Sequence, residues 1–285
     1  SRLVNGWEID VNKSQPKVNQ LGLEWYNDKF NYTLELINKN FDNYRISDVL
    51  MYSYKLIWDD FCSWLLEIIK PDYGEKIDLK SKNELIILFE KNLKVLHPFM
   101  PFLTEEIFHN LPDVNVTSPL TTSSWPKLEN YNQNTVDNFE ITKEIISQIR
   151  NYRKEKNISF KTSLDLYYLP NKSSLKNIEI IQKIATINNL EESMKNNFAM
   201  VNSFLIKNFE FFIPLEEGFD KDAEIEKLKK ELDYNERFLK SVQNKLKNKD
   251  FVNNAPDNIV DTEKQKIIDT DLKIKSLMKS INDLS

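Results

Sequence analysis

The sequence predicts a mainly α protein: a helical bundle, followed by a small α/β unit and a long antiparallel coiled-coil hairpin. Three observations lead to this fold class. The chain has only four glycines and ten prolines in 285 residues, its first part carries apolar stripes at helical spacing, and its last part follows heptads. So few turn residues favour long helices with short connections over many strands, and this length allows more than one domain.

The first part of the chain is predicted to form a four-helix bundle. Residues 1–20 are polar and interrupted by Pro16, so they are interpreted as the remnant of a preceding helix and a linker. Residues 21–116 then carry four amphipathic stripes, and four such helices in succession must pack their apolar faces together. The pattern Ser81-Lys82-Asn83-Glu84 is a capping box that opens the third helix. The predicted helices start near Gly22, Ser47, Ser81 and Thr104.

Several chemically distinctive side chains of the bundle are expected to be structural. Trp58, Phe61 and Trp64 are assigned to the core, and Cys62 is interpreted as a small buried group. His97 stands between Leu96 and Pro98 and is expected to be a packed, hydrogen-bonded histidine rather than a ligand.

A second, smaller subdomain is predicted to follow a connection over residues 117–134, which are rich in Ser, Thr, Pro and Asn. This subdomain covers 135–218 and begins with a helix over 136–157. The hydrophobic period then changes to short alternating runs that are typical of strands. The predicted elements beyond the helix are strands at 163–169 and 209–213 and helical stretches at 175–188 and 191–197.

Two heptad runs predict that residues 219–285 form the coiled-coil hairpin. Apolar residues at alternating steps of three and four keep one seam facing a partner helix, and the break over 249–256 is long enough only to reverse the chain. Asn235 within the first seam is expected to set the register of the two arms. The seam residues are Ile225, Leu228, Leu232, Asn235, Leu239, Val242 and Leu246, then Ile267, Thr270, Ile274, Leu277, Ile281 and Leu284.

The composition excludes several classes of protein. A single cysteine excludes a disulfide framework and a cysteine-based zinc site, and two histidines leave little room for histidine chemistry. We find no signal peptide, no apolar run long enough for a membrane span and no Gly-rich phosphate loop, so a cytoplasmic location is expected. The net charge of −5 argues mildly against nucleic acid as a partner.

Four segments resemble a known family. The runs 58–71 (WDDFCSWLLEIIKP) and 96–107 (LHPFMPFLTEEI) resemble the anticodon-binding bundle of class I aminoacyl-tRNA synthetases for branched aliphatic amino acids. The run 149–158 (IRNYRKEKNI) and the hairpin-tip run 251–256 (FVNNAP) are similar to valyl-tRNA synthetases in particular. The resemblance covers essentially the whole chain and identifies it as a C-terminal portion of that family.

The family's catalytic motifs are missing from this sequence. His97 precedes Pro98 and His109 precedes Asn110, so neither lies in the family's His-x-Gly-His tetrapeptide. The run Met278-Lys279-Ser280 lies inside the heptads and is a chance match to the Lys-Met-Ser-Lys-Ser loop. We therefore expect no catalytic, cofactor-binding or metal-binding residues and no activity for this chain alone. The resemblance implies that the parent protein is a valine–tRNA ligase that uses ATP and Mg.

The resemblance implies a valine-specific tRNA as the partner of a monomeric chain, with no membrane and no metal. The bundle would engage the anticodon arm and the hairpin would lean on the outer corner of the tRNA. The predicted contacts are Lys29, Phe30, Arg45, Arg150, Arg153, Lys245, Lys247 and Lys249.

Alternatives remain open for most of these predicted contacts. Phe30 fits the buried stripe of its helix as well as a base-stacking role, and Arg45 can equally be solvated. Arg150 and Arg153 can anchor the α/β unit to the bundle instead of binding phosphate.

Two other functions remain as alternatives. One is the equivalent portion of isoleucyl-tRNA synthetase, but that family often carries zinc-binding cysteines that a chain with only Cys62 cannot supply. The other is a coiled-coil scaffold that binds a protein. Binding to tRNA should weaken steeply as salt rises, whereas the scaffold should depend little on salt.

Overall fold

The computed structural model describes residues 6–111, 119–169, 174–198, 201–214, 221–248 and 257–284. It divides into two compact units. The first comprises Ser1–Arg150 with Leu175–Ala185, and the second comprises Asn151–Ser174 with Thr186–Ser285. Among the described residues, every helix is too short or too polar to cross a membrane.

The first unit is a helical bundle, as the sequence predicts, but it also contains most of the helix Gln133–Glu155 and the helix Ile178–Ala185, which the sequence analysis assigned to the α/β subdomain. A short parallel pair of strands, β1 (Ile9–Asp10) and β2 (Ile77–Asp78), lies beside the helices. Helix α6 contributes its residues up to Arg150 to this unit. The helical elements are α1 (Lys17–Asp42), α2 (Ile46–Lys55), a π-helix (Leu56–Leu65), α3 (Leu66–Ile69), α4 (Leu79–Leu96), α5 (Pro101–His109), α6 (Gln133–Glu155) and α7 (Ile178–Ala185).

The core of the bundle is built on aromatic side chains of α1. The Trp25 ring stacks on Phe139 of α6, with centroids 3.5 Å apart and planes 14° from parallel. The buried Tyr26 hydroxyl donates to Asn92 Oδ1 of α4 at 2.8 Å, and burial raises its pKa well above the usual value. These contacts join α1, α4 and α6 into one core.

A ten-residue π-helix changes which side chains of the second bundle helix point inward. Its buried residues are Leu56, Asp60, Phe61 and Leu65, a spacing of four to five that matches the wider turn of a π-helix. This confirms Phe61 as a core residue, but Trp58 is exposed and the core assignment is wrong for it. Trp58 lies two residues after the buried Leu56, which places it on the opposite side of the helix.

Helix α4 begins earlier than its sequence pattern indicates. The cap is Asp78, whose Oδ1 accepts a hydrogen bond from the Ser81 backbone N–H at 2.7 Å. The predicted cap Ser81 is therefore a buried residue of the first turn, and its hydroxyl accepts from Asn19 Nδ2 at 3.1 Å. An Asp cap satisfies one of the N–H groups that a helix start leaves unpaired.

The second unit contains a four-stranded sheet in the order β4-β3-β6-β5. Strand β3 pairs in parallel with β4 and antiparallel with β6, and β6 pairs antiparallel with β5. Both predicted strands are present, but the sequence analysis missed two more. Of the helical stretch predicted over 191–197, only the 3₁₀ turn Lys195–Asn197 is present, and the first two residues of the stretch belong to a strand. Missed strand β4 (INNLEE) buries only Ile187 and Leu190, three residues apart, so it lacks the alternation of a half-buried strand. The strands are β3 (Leu164–Tyr168), β4 (Ile187–Glu192), β5 (Val201–Ile206) and β6 (Phe209–Pro214).

The predicted hairpin is present as helices α8 (Lys221–Lys247) and α9 (Asp257–Leu284), which lie side by side. Val242, Ile274 and Leu277 of the predicted seam are buried. Lys273 Nζ of α9 lies 2.9 Å from Glu231 Oε1 of α8, as expected for antiparallel arms. Asn235 is buried and donates to the Glu231 carbonyl of its own helix at 2.8 Å. Helix α9 also packs on strand β5 within this unit.

We predict that Gly22→Ala destabilises the bundle although Ala is the better helix former. A Cβ at position 22 would lie 2.6 Å from Cγ2 of the fully buried Ile68, so the neighbouring chain must move. Overpacking of this kind costs about 1–3 kcal/mol, against a gain in helix propensity of about 1 kcal/mol. Urea unfolding of the full chain measures the difference in stability.

Ile68→Ala supplies the control for this prediction. It should be destabilising alone, but Gly22→Ala should cost much less in the Ile68→Ala background, because the clash is gone. Equal costs of Gly22→Ala in the two backgrounds would contradict the steric explanation.

Candidate nucleic-acid interface

The structure places Lys29 and Phe30 largely inside the bundle. The Phe30 side chain is 0 % exposed. Phe30 therefore belongs to the buried stripe of its helix, and the predicted stacking of its ring on a base is wrong. Lys29 Nζ lies 3.7 Å from Glu140 Oε1 and 3.9 Å from Asp60 Oδ2. Both residues of α1 thus contribute to the cohesion of the bundle.

Arg45 lies on the surface at the corner between α1 and α2. Its guanidinium is mostly exposed and pairs with Asp48 of the first turn of α2, with 2.6 Å between Nε and Oδ2. An exposed ion pair of this kind is worth little, because both charges remain solvated. The guanidinium of Arg45 can therefore leave Asp48 and bind a phosphate at little cost in free energy.

The two arginines of α6 have different surroundings. Arg150 is exposed, and its guanidinium carbon lies 5.7 Å from the centroid of the partly buried Trp64 ring. Arg153 is only 1 % exposed, so the predicted direct contact with phosphate is wrong. Its guanidinium instead anchors nearby backbone. Its Nη1 donates to the carbonyls of Ser159 and Thr162, at 2.9 and 2.7 Å, and its Nη2 donates to that of Thr186 at 3.0 Å. These backbone bonds hold the chain around the start of β3 and β4.

The hairpin presents two of the three predicted lysines on α8. Lys245 Nζ contacts Glu263 Oε1 of α9 at 2.9 Å, and the side chain of Lys247 is exposed. Lys249 lies outside the described residues. Hydrogen bonds from Lys245 and then Lys266 lower the pKa of Glu263, which is buried in the seam. This carboxylate joins the two arms near the tip.

His97 and Glu105 are structural, as the sequence predicted for the histidine. The His97 ring nitrogens lie 2.7 Å from Thr104 Oγ1 and 3.1 Å from Thr121 Oγ1. Burial opposes ionisation of Glu105, but hydrogen bonds from the backbone N–H groups of Leu120 and Thr121 outweigh it and lower the pKa. Within the described residues, no three His, Cys, Asp or Glu side chains are grouped to hold a metal ion.

The sequence analysis missed a row of exposed apolar side chains on the outer face of α2 and the π-helix. The signal was present as a spacing of four through Ile46, Leu50, Tyr54 and Trp58. It was overlooked because large apolar residues at helical spacing are usually interpreted as core. All four residues are exposed, as is Tyr44 just before α2.

The chain matches two protein families and many curated proteins. Residues 24–168 match the anticodon-binding domain of tRNA ligase, and residues 220–285 match the valyl tRNA synthetase tRNA binding arm. It is 42 % identical over 285 residues to a valine–tRNA ligase of Christiangramia forsetii, covering 100 % of this chain and 32 % of that relative. The valine–tRNA ligase of Parabacteroides distasonis is 34 % identical over 284 residues, with 100 % of this chain and 32 % of the relative covered. That of Listeria innocua is 32 % identical over 292 residues, with 97 % and 32 % covered.

The chain therefore spans about a third of the length of the curated relatives that it matches. The matched region is the C-terminal part of those relatives.

We predict that Glu263→Gln lowers the stability of the chain at neutral pH and that this loss disappears in acid. The Glu263 pKa is lower in the folded protein than in the unfolded chain, where it is about 4.3. Its stabilisation is therefore complete above that value and is lost as pH falls through the lowered folded pKa. Thermal unfolding of both proteins between neutral and acidic pH measures the effect.

Asp261→Asn is the matched control, because Asp261 is exposed and pairs with Lys264 of the same helix. We expect it to change the melting temperature little at any pH. A pH-independent effect of Glu263→Gln would show that its charge does not join the arms.

Proposed function

Because the chain belongs to the family of tRNA ligases with an anticodon-binding domain and carries a valyl-tRNA synthetase tRNA-binding arm, we propose that it holds tRNA for a valine–tRNA ligase. The observation that carries this proposal is the joint presence of the bundle and the hairpin, each matching a tRNA-binding family, in a single chain. Neither element requires catalytic residues to perform this task.

The bundle would take the anticodon arm of the tRNA. Unpaired loop bases expose their faces and edges, so proteins read them by stacking and by hydrogen bonds. Arg45 and Arg150 are the exposed cations among the predicted contacts of this unit. They would bind the phosphates that flank the loop, since such contacts position a protein on nucleic acid.

The hairpin would supply a second contact, on the outer corner of the tRNA. Its two arms are joined by the seam and by ion pairs such as Lys273–Glu231, which gives an elongated surface with little interior. Lys245 and Lys247 lie in the last turn of α8 and are the candidates for phosphate contacts. Lys249 lies outside the described residues and stays a predicted contact.

Two contacts on one chain serve positioning rather than chemistry. After the first contact forms, the second is intramolecular and forms at a high effective concentration. Fixing a substrate in this way lowers the entropic cost of the reaction that follows. We propose that valine specificity, the use of ATP and Mg, and the ligase reaction belong to the longer protein. Its cytoplasmic location and monomeric state stay predictions from the sequence.

The isoleucine enzyme and the protein-binding scaffold are the less favoured functions. The arm over residues 220–285 matches a family described for valyl tRNA synthetase, which argues against the isoleucine enzyme. The match of residues 24–168 to an anticodon-binding domain argues against a scaffold without a nucleic-acid role.

We predict that the full chain binds valine tRNA with a clearly negative slope of log affinity against log salt. Each lysine that releases a counterion from the RNA should contribute about 0.7–0.9 to that slope. Lys245→Ala and Lys247→Ala should each reduce the slope by about that amount. Circular dichroism verifies that both variants are folded, because Lys245 also pairs with Glu263 of the other arm. Fluorescence anisotropy of labelled tRNA over a salt series measures this, with isoleucine tRNA as a competitor.

Lys264→Ala provides the control, since Lys264 is exposed and pairs only locally with Asp261 in the described part of the hairpin. The slope of log affinity against log salt for this variant should equal that of the unchanged chain. Affinity that is insensitive to salt, or absent at low salt, would argue against tRNA binding and favour the scaffold.

A further inference from the structure

Helix α4 carries apolar side chains around its whole circumference. Residues 85–89 read LIILF without a polar interruption, and five consecutive residues at about 100° each encircle a helix. A surface helix needs only one apolar stripe, whereas a helix that is apolar all round is usually covered on every side. Leu85, Ile86 and Leu88 are buried, but Ile87 is 55 % exposed. The outer side of α4 therefore suits contact with a further element.

A groove of about 370 Å³ lies along this outer side. It is lined by Leu79, Asn83 and Ile87, which lie four residues apart on α4, and by Val11, which follows β1. Val11 is 70 % exposed and Leu79 is 40 % exposed. Three large apolar side chains from two segments thus face solvent around one depression, and clustered exposed apolar surface marks an interaction site more often than scattered residues do.

The charged residues that also line the groove are paired within the chain. Lys13 Nζ lies 3.2 Å from Glu75 Oε2 and donates to the Lys76 carbonyl at 2.9 Å, and Lys80 Nζ lies 3.8 Å from Glu84 Oε1. Apolar residues beside a polar rim are the composition of a protein interface. Nucleic acid is less suited to this groove, because phosphates require cations that are free to pair with them.

The start of the described chain lies beside the groove. The Glu8 carbonyl accepts a hydrogen bond from the Ile77 N–H at 2.9 Å, and β1 and β2 pair in parallel from Ile9 and Ile77. The curated relatives continue ahead of the region that this chain matches, which is their C-terminal part. In a longer protein of this kind the preceding polypeptide arrives at Glu8. A contact with the groove is then intramolecular and forms at a high effective concentration.

We propose that the groove between α4 and the segment after β1 is the docking site of an amphipathic helix that directly precedes this chain in the longer protein. Apolar side chains spaced three and four residues apart on that helix would pack against Val11, Leu79 and Ile87. A helix is the expected form, because the sequence analysis interprets the first residues of this chain as the remnant of a preceding helix. This interaction belongs to the longer protein and does not depend on tRNA binding.

The test joins a preceding segment to this chain. About 30 residues, enough for a helix of about 45 Å, are taken from the valine–tRNA ligase of Christiangramia forsetii, directly ahead of the region that matches this chain, and are fused to Ser1. That relative matches this chain over its whole length, so the fusion keeps the order of the two segments. Urea unfolding with and without the fusion, each with Ile87 or Ile87→Asp, gives a double-mutant cycle. Circular dichroism verifies that every protein is folded.

Two further variants complete the design. Val11→Asp tests the other side of the groove. Ile268→Asp is the matched control, because Ile268 is also an isoleucine on a helix and is 54 % exposed, against 55 % for Ile87. It lies on α9, outside the groove.

The fusion should lower the equilibrium constant of unfolding at least about tenfold, since full burial of a single large apolar side chain contributes that much. Ile87→Asp and Val11→Asp should each remove most of this gain but change the unfused chain little. The reason is that each carboxylate is solvated in the unfused chain and would be buried without a partner under the docked helix. Ile268→Asp should leave the gain unchanged.

Other outcomes would overturn the inference. A fusion that leaves the unfolding equilibrium unchanged would show that the groove does not hold the preceding segment, and so would equal effects of Ile87→Asp with and without the fusion. If Ile87→Asp instead abolished self-association of the unfused chain in sedimentation, a second copy would cover the groove. All these measurements are made without RNA, so failure of the docking site is distinguishable from failure of the proposed function.

Discussion

The structure of the bundle depends on one buried ion pair inside a ring of aromatic side chains. Lys143 of α6 lies 2.7 Å from Asp60 Oδ1 of the π-helix, and its Nζ lies 5.5–5.9 Å from the centroids of Trp25, Phe139 and Trp64. The Asp60 side chain is 8 % exposed, and an unpaired buried charge costs several kcal/mol. Helix α1, the π-helix and α6 must therefore keep the register in which this pair can form.

The π-helix carries the Asp60 member of this pair. Its wide turn allows the consecutive residues Asp60 and Phe61 to face inward together, the first toward Lys143 and the second toward Tyr26 and Phe89. Trp58 lies on the solvent side of this segment, where its ring is parallel to that of Tyr54. Such departures from α-helical geometry are often found at functional sites.

Sequence reasoning succeeded where one period held over many residues. Apart from the π-helix, the bundle helices and the two arms of the hairpin follow apolar stripes of one period, and the structure contains them with shifts of a few residues at their ends. It failed for Trp58 because a large aromatic residue was assigned to the core by its type, although it lies two residues after the buried Leu56 and therefore on the opposite side of the helix. It also failed for β4, whose parallel neighbour and bulged register replace the usual alternation.

The candidate site was harder to predict for a related reason. Exposure decides whether a cation or a ring can touch RNA, and exposure depends on tertiary packing. The guanidinium of Arg153 and the ring of Phe30 could both bind RNA, but both side chains are buried. The arginines Arg45 and Arg150, in contrast, lie on the surface. Periodicity can nominate such residues, but it cannot tell a core stripe from an exposed one when both consist of apolar side chains four apart.

The proposed function requires that one chain holds tRNA at two separate places. Chemical footprinting of valine tRNA bound to the full chain tests it most directly. Protection of both the anticodon loop and the outer corner, with the corner protection lost in Lys245→Ala/Lys247→Ala, is the predicted result. Protection of neither region would contradict the account, and so would weak protection spread uniformly along the whole tRNA.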